Sequence, residues 1–228
     1  MKLIKSASVV CAGLAVALLA ATAAMADKPP QNWDGLELTK KKGLDLVYIR
    51  PNVQFKAYKD VMIDRLEVAF DKNWDPNRNV RGTAGRLSTE DMQRIKADMA
   101  KEFQKVFVEE LGKGGYAVVD KMGDDTLRVS PGLANVYINA PDTSMSTPGR
   151  STTYTTQGAG RMTLVMELRD APTGQLLARV IDEKADTDTG WAQVTNSVTN
   201  SADFRRAVRS WAQRLVKGLD KVNGKTTD

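Results

Sequence analysis

The chain has 228 residues, 42% of them hydrophobic and 27% charged, with one cysteine and no histidine. Without histidine there is no Ser-His-Asp triad, no Cys-His pair and no His/Cys zinc site. The formal net charge of +5 drops to +3 once Lys2 and Lys5 are set aside, a level that serves solubility and excludes a nucleic-acid footprint.

Residues 1–26 read as a secretory signal peptide. Lys2 and Lys5 open it, Ser6 to Ala26 carries no charge, and it closes on Ala24-Met25-Ala26 before Asp27-Lys28-Pro29-Pro30. That order of charged, apolar and small-residue zones is the export pattern. The alternative, an uncleaved anchor, is weakened by the short strongly apolar core, Val9 to Leu19. Cleavage between Ala26 and Asp27 places the working protein in the periplasm or outside the cell. Cys11 lies inside the apolar run behind Val10, which is not a lipoprotein site, so the mature chain is expected to be unlipidated and free of thiols.

The mature segment, about 200 residues, suits one domain. Residues 27–43 read as a leader, with Pro29-Pro30, Trp33-Asp34-Gly35-Leu36 and Lys40-Lys41-Lys42. Leu44 to Arg50 is a short strand stopped by Pro51, and Tyr58 to Phe70 is a second strand candidate. A polar loop, Asp71 to Leu87, follows. Ser88 with Asp91 three residues on predicts a capped helix carrying Met92, Ile95, Met99, Phe103, Val106 and Phe107 at helical spacing. Gly112, Gly114 and Gly115 end it.

Tyr116 to Val119 is a short strand and Thr126 to Ala140 a longer one. In the latter the apolar parity switches near Ala134-Asn135, the mark of a β-bulge. Gly158 to Arg169, a turn at Asp170 to Gly174, and Gln175 to Glu183 form a hairpin. From Ala202 to Val222 a helix carries Phe204, Val208, Trp211, Leu215, Leu219 and Val222 on one stripe and six cations on the other. Residues 223–228 read as a frayed tail. The expected architecture is one α+β domain over residues 44–222: a largely antiparallel sheet with two main helices packed on one face.

Few constellations carry chemistry. Gly218 to Thr226 imitates a phosphate loop, with one residue too many and a helix before it instead of after it. Asp182, Asp186 and Asp188 read as a solvated acidic turn, since the fifth and twelfth calcium-loop places fall on Gly190 and Ser197. Thr143 to Gln157, rich in Ser and Thr, reads as a long loop in which Arg150 and Tyr154 are candidate contacts. Arg205, Arg206 and Arg209 on the last helix are candidate contacts for anionic membrane or cell-wall polymer. No catalytic residue, cofactor or metal ligand is assigned. Trp211 reads as core, while Trp33, Trp74 and Trp191 read as staples or contacts.

Trp33-Asp34-Gly35-Leu36, Val47-Tyr48-Ile49-Arg50-Pro51, Gly115-Tyr116 with Asp120, Glu167 to Gly174 and Trp211-Ala212 together resemble the bacterial domain-of-unknown-function family 3313. The resemblance implies an exported envelope protein with no catalytic residues to carry over. Many members look like lipoproteins, and this chain departs there for want of a cysteine at the mature N-terminus. The first functional reading is a non-enzymatic module that binds other envelope proteins. The alternative is a small-ligand or glycan binder using loop 143–157, and the third a carboxylate-dependent hydrolase. The oligomeric state is left open.

Overall fold

The computed structural model describes residues 28–53, 55, 58–78, 86–138, 154–156, 160–185, 193–195 and 197–225. The signal segment, Arg150 and Trp191 lie outside them. Among the described residues, no helix is long and apolar enough to cross a membrane.

The strands are β1 (Asn32–Trp33), β2 (Leu36–Thr39), β3 (Leu46–Ile49), β4 (Asp60–Ile63), β5 (Glu67–Phe70), β6 (Ala117–Val118), β7 (Thr126–Ile138), β8 (Tyr154–Thr156), β9 (Gly160–Asp170), β10 (Leu176–Ala185) and β11 (Gln193–Thr195); the helices are α1 (Thr89–Lys113) and α2 (Ser197–Val222). Nine strands form one sheet in the order β1-β2-β3-β10-β9-β7-β4-β6, with β5 also on β7. The sheet is mostly antiparallel and the fold is α+β, as the sequence predicts. A parallel corner is added: β4 and β5 both run parallel to β7, and β4 parallel to β6. A parallel pair needs a crossover, and α1 supplies it between β5 and β6.

The second strand candidate is split in two because of Pro131. Asp64 N–H donates to the Val129 carbonyl, so by alternation the Pro131 nitrogen faces the same edge of β7. Pro131 has no N–H to offer a neighbour, and the ladder breaks there, between Ile63 opposite Val129 and Glu67 opposite Gly132. The expected bulge is present. From Ala134 opposite Thr163 to Tyr137 opposite Arg161, β7 advances three residues and β9 two, with Asn135 at φ 52°. Across from it, Gly160 has no substitute, since a Cβ there would lie 2.1 Å from the Tyr137 carbonyl oxygen.

Both helices pack on one face. Phe103, Val106, Phe107 and Leu111 of α1, with Val208, Trp211, Leu215 and Leu219 of α2, share a core with Val47, Val61, Val129, Leu133, Leu164, Met166 and Val180 of the sheet. At the start of α1, Ser88 Oγ accepts from Asp91 N–H and the Asp91 carboxylate from Ser88 N–H, a complete capping box. Ser88→Ala is expected to cost about 1 kcal/mol, read as a shifted urea midpoint with unchanged slope.

Two boundaries are corrected. The segment 27–43, expected as a leader outside the domain, contributes β1 and β2 to the sheet, because Leu36 is fully buried. Asn223 and Lys225, expected to fray, are bonded: Asn223 Nδ2 donates to the Tyr58 carbonyl at 2.9 Å and Lys225 N–H to the Asp220 carbonyl at 2.8 Å.

Candidate functional site

The sheet face away from the helices carries a polar row. Ser130, Glu167, Arg179 and Tyr48 are successive cross-strand neighbours on β7, β9, β10 and β3, and the apolar Leu38 of β2 closes the row. Strand alternation sends their neighbours Val129, Met166, Val180 and Val47 into the helix-side core. Arg179 is 2% exposed. Its Nε and Nη2 donate to Glu167 Oε1 at 3.1 and 2.6 Å, and Nη2 also reaches Asp34 Oδ2 at 2.7 Å. Arg169 Nη2 takes the other Glu167 oxygen at 2.7 Å.

A hairpin lies over this row. Asp34 (φ 54°) and Gly35 (φ 75°) are its two-residue turn, and such turns favour Asp-Gly because both residues need positive φ. The turn brings the Trp33 ring to 4.2 Å from the Arg179 guanidinium carbon and edge-on to Tyr48 at 5.6 Å. Arg50, whose Nε donates to the Leu176 carbonyl at 2.6 Å, lies beside Gly35. Burial raises the Tyr48 phenol above its ordinary value, and the Arg179 charge opposes that rise. Tyr48 Oη and Arg179 Nη1 are both buried without a hydrogen-bond partner.

At one end of the sheet, Ile138 pairs with Gly160 and Ala185 with Arg161, so the excursions after β7 and after β10 leave from the same place. They meet again: β8 and β11 form a separate two-stranded sheet, with Tyr154 opposite Thr195 and Gln193 opposite Thr156. The candidate contact Tyr154 thus belongs to a strand. In a chain with 27% charged residues, 151–160 and 189–202 contain none. That signal was available in the sequence.

The candidate helix arginines are engaged with carboxylates. Arg205 Nη1 lies 3.7 Å from Glu102 and Arg209 Nε 3.3 Å from Glu110, both across to α1, and Arg206 lies 2.9 Å from Asp203 on its own helix. Glu110 also accepts from Lys113 at 2.8 Å and Gln213 at 2.9 Å. The Lys113 hydrogen bond first, with help from Gln213 and Arg209, holds the Glu110 carboxyl below its ordinary pKa despite burial. A depressed carboxyl stabilises the fold above its unfolded pKa, about 4.3, and that contribution fades as pH falls through the lower folded value. Glu110→Gln should therefore flatten the loss of stability below about pH 4 while lowering stability at neutral pH, as urea titrations at each pH would read.

Asp182, expected in a solvated turn, is buried; its Oδ2 accepts from Trp211 Nε1 at 2.7 Å and its Oδ1 from Asp45 N–H at 3.2 Å. The rest of that turn, 186–190, lies outside the described residues. Gly218 to Val222 of the phosphate-loop imitation lie within α2. Trp74 is a staple, stacked on Phe70 at 4.3 Å with its Nε1 donating to the Ile138 carbonyl at 2.9 Å.

Residues 29–215 match the model of a family described as a protein of unknown function, DUF3313. The chain belongs to the DUF3313 family. Its fragments Trp33 to Leu36, Val47 to Pro51 and Glu167 to Gly174 converge on the Arg179 row, although up to 145 residues separate the bonded partners. No curated protein matches the sequence of this DUF3313 chain. Several solved structures are similar over most of its length, among them the following three. PelC from Paraburkholderia phytofirmans, described as a dodecamer, has 8% identity and a TM-score of 0.37, covering 73% of this chain and 96% of its own. A Xanthomonas campestris protein has 14% identity and a TM-score of 0.41, covering 78% and 95%. A minor lipoprotein from Acinetobacter baumannii has 10% and 0.33, covering 74% and 95%. Likenesses this loose transfer no role to DUF3313.

Proposed function

We propose that this DUF3313 protein is an exported, non-catalytic binding module of the bacterial envelope. It engages another envelope protein through the end of the sheet where β8 and β11 pair. The observation that carries this reading is the meeting of two long excursions in a second sheet whose strands lie in charge-free sequence. Each strand has three residues, and an isolated two-stranded ribbon is marginal in water. Edge strands are usually guarded by charge or proline, and these are not, so strand addition by a partner is the fitting mode of recognition. The structural roles taken by Arg205, Arg209, Glu110 and Asp182 favour a scaffold over a hydrolytic centre.

The test is photo-cross-linking in cells, with the reactive residue at Thr155 or Val194 and a control at Lys101 on the outer side of α1. Adducts with one envelope protein from 155 and 194, and none from 101, are expected. Equal labelling from all three positions would sink the assignment of this end. A soluble saccharide that protects 155 and 194 with no protein adduct would replace it with glycan binding.

A further inference from the structure

The hairpin closes over a site that it does not satisfy. Arg179 Nη1 and Tyr48 Oη are sealed without a partner, and a buried orphan costs about 1–3 kcal/mol. Both atoms are buried, and Trp33 packs against both side chains while Asp34 bonds Arg179. The base of the hairpin is fixed: Leu36 is buried in an apolar cluster with Tyr48, Val165 and Ile181, and β2 pairs with β3. The tip is less firmly held: Asp34 carries a carboxylate to Arg179 Nη2, yet its side chain is 56% exposed, and Trp33 is only partly buried.

We propose that the hairpin tip, Trp33 and Asp34, is a removable cover while Leu36 and β2 stay in place, and that the Arg179 row beneath it binds a carboxylate-bearing ligand, for which Asp34 is the built-in stand-in. With Trp33 and Asp34 swung aside, Arg179 keeps Glu167 on Nε and Nη2 and offers its outer Nη1/Nη2 edge. That edge accepts a planar carboxylate in the two-bond fork geometry. Tyr48 Oη adds a third donor. Arg50 lies beside Gly35 of the turn and Arg169 holds the other Glu167 oxygen, so without Asp34 these three guanidiniums share a single carboxylate, Glu167. The local charge goes from a surplus of one, with two acids present, to a surplus of two, which selects an anion. The Trp33 ring, now on the guanidinium, is released and reports the event.

The experiment uses the full mature chain. Sodium succinate and, separately, inorganic phosphate are titrated at constant ionic strength while the Trp33 indole N–H resonance is followed. Succinate should move that resonance saturably and more tightly than phosphate does. In Asp34→Ala, which removes the competitor, the apparent dissociation constant should fall by about fivefold or more. Tyr48→Phe should weaken succinate at least about threefold while leaving the melting temperature unchanged or higher, because it deletes an orphan hydroxyl. Phosphate binding as tightly as succinate would overturn the carboxylate assignment. A resonance that stays put to about 50 mM succinate in both the natural chain and Asp34→Ala, far above any useful affinity, would end the proposal and leave the hairpin a fixed staple.

Discussion

Replacing Glu167 with alanine is expected to destabilise the protein by about 3–5 kcal/mol, because it leaves a buried guanidinium without its main counter-charge. Glu167 accepts two bonds from Arg179 and one from Arg169. After its removal Arg179 retains one bond, to Asp34 on the exposed turn. For a domain of this size the loss corresponds to a melting temperature lower by about 10 °C. The pair as a whole is worth far less than its breakage suggests, since desolvating two charges offsets much of their attraction. The double variant Glu167→Met with Arg179→Met should therefore recover much of the stability lost in the single one. A double-mutant cycle by urea unfolding checks both statements. Equal loss in single and double variants would mean that packing, and not the buried charge, sets the cost.

The second large effect concerns Trp211. Its ring is buried between α2 and the sheet, and Nε1 donates to a buried carboxylate, Asp182. Trp211→Ala should cost about 3–5 kcal/mol through the cavity alone. Trp211→Phe separates the terms: most of the apolar contact stays and the bond to a charged acceptor goes, costing about 1.5–3 kcal/mol. Asp182 still holds Asp45 N–H and the Lys184 ammonium, so the smaller variant should fold cooperatively. Urea midpoints with unchanged slopes would confirm that both act on the native state. A Phe variant as stable as the natural chain would show that the Trp211–Asp182 bond contributes nothing net.

The legible parts of this fold were those with local signals. The Ser88 cap, the helical stripe through Phe107, the turn at Asp170 and the parity switch at Asn135 each reside in a few adjacent residues, and each appears where the sequence places it. Asp34-Gly35 is equally local, a strong hairpin signal, but its flanking strands are only two and four residues long and show no alternation of their own. Pro131 was harder. A proline in a central strand argues against that strand, and only the break between β4 and β5 makes room for it. The polar row was not legible. Glu167 and Arg179 alternate with apolar residues as solvent-facing side chains do, and nothing nearby announces that a hairpin 145 residues from Arg179 covers them. The arginines of α2 misled for the same reason: a helical wheel separates polar from apolar sides and is blind to Glu102 and Glu110 on a different helix.

The distance in sequence between the cover and what it covers also constrains how the chain can be made. A polypeptide emerges amino end first, so Trp33 and Asp34 are available long before β10 exists. β3, their neighbour, pairs with β10 as well, and the core is sealed only when Trp211 arrives on the last helix. No amino-terminal subdomain can settle early. Contacts this remote slow folding and leave apolar strand edges open meanwhile. The nascent chain should therefore depend on a holding chaperone until nearly all of it has appeared, and truncation within α2 should leave the whole sheet unformed.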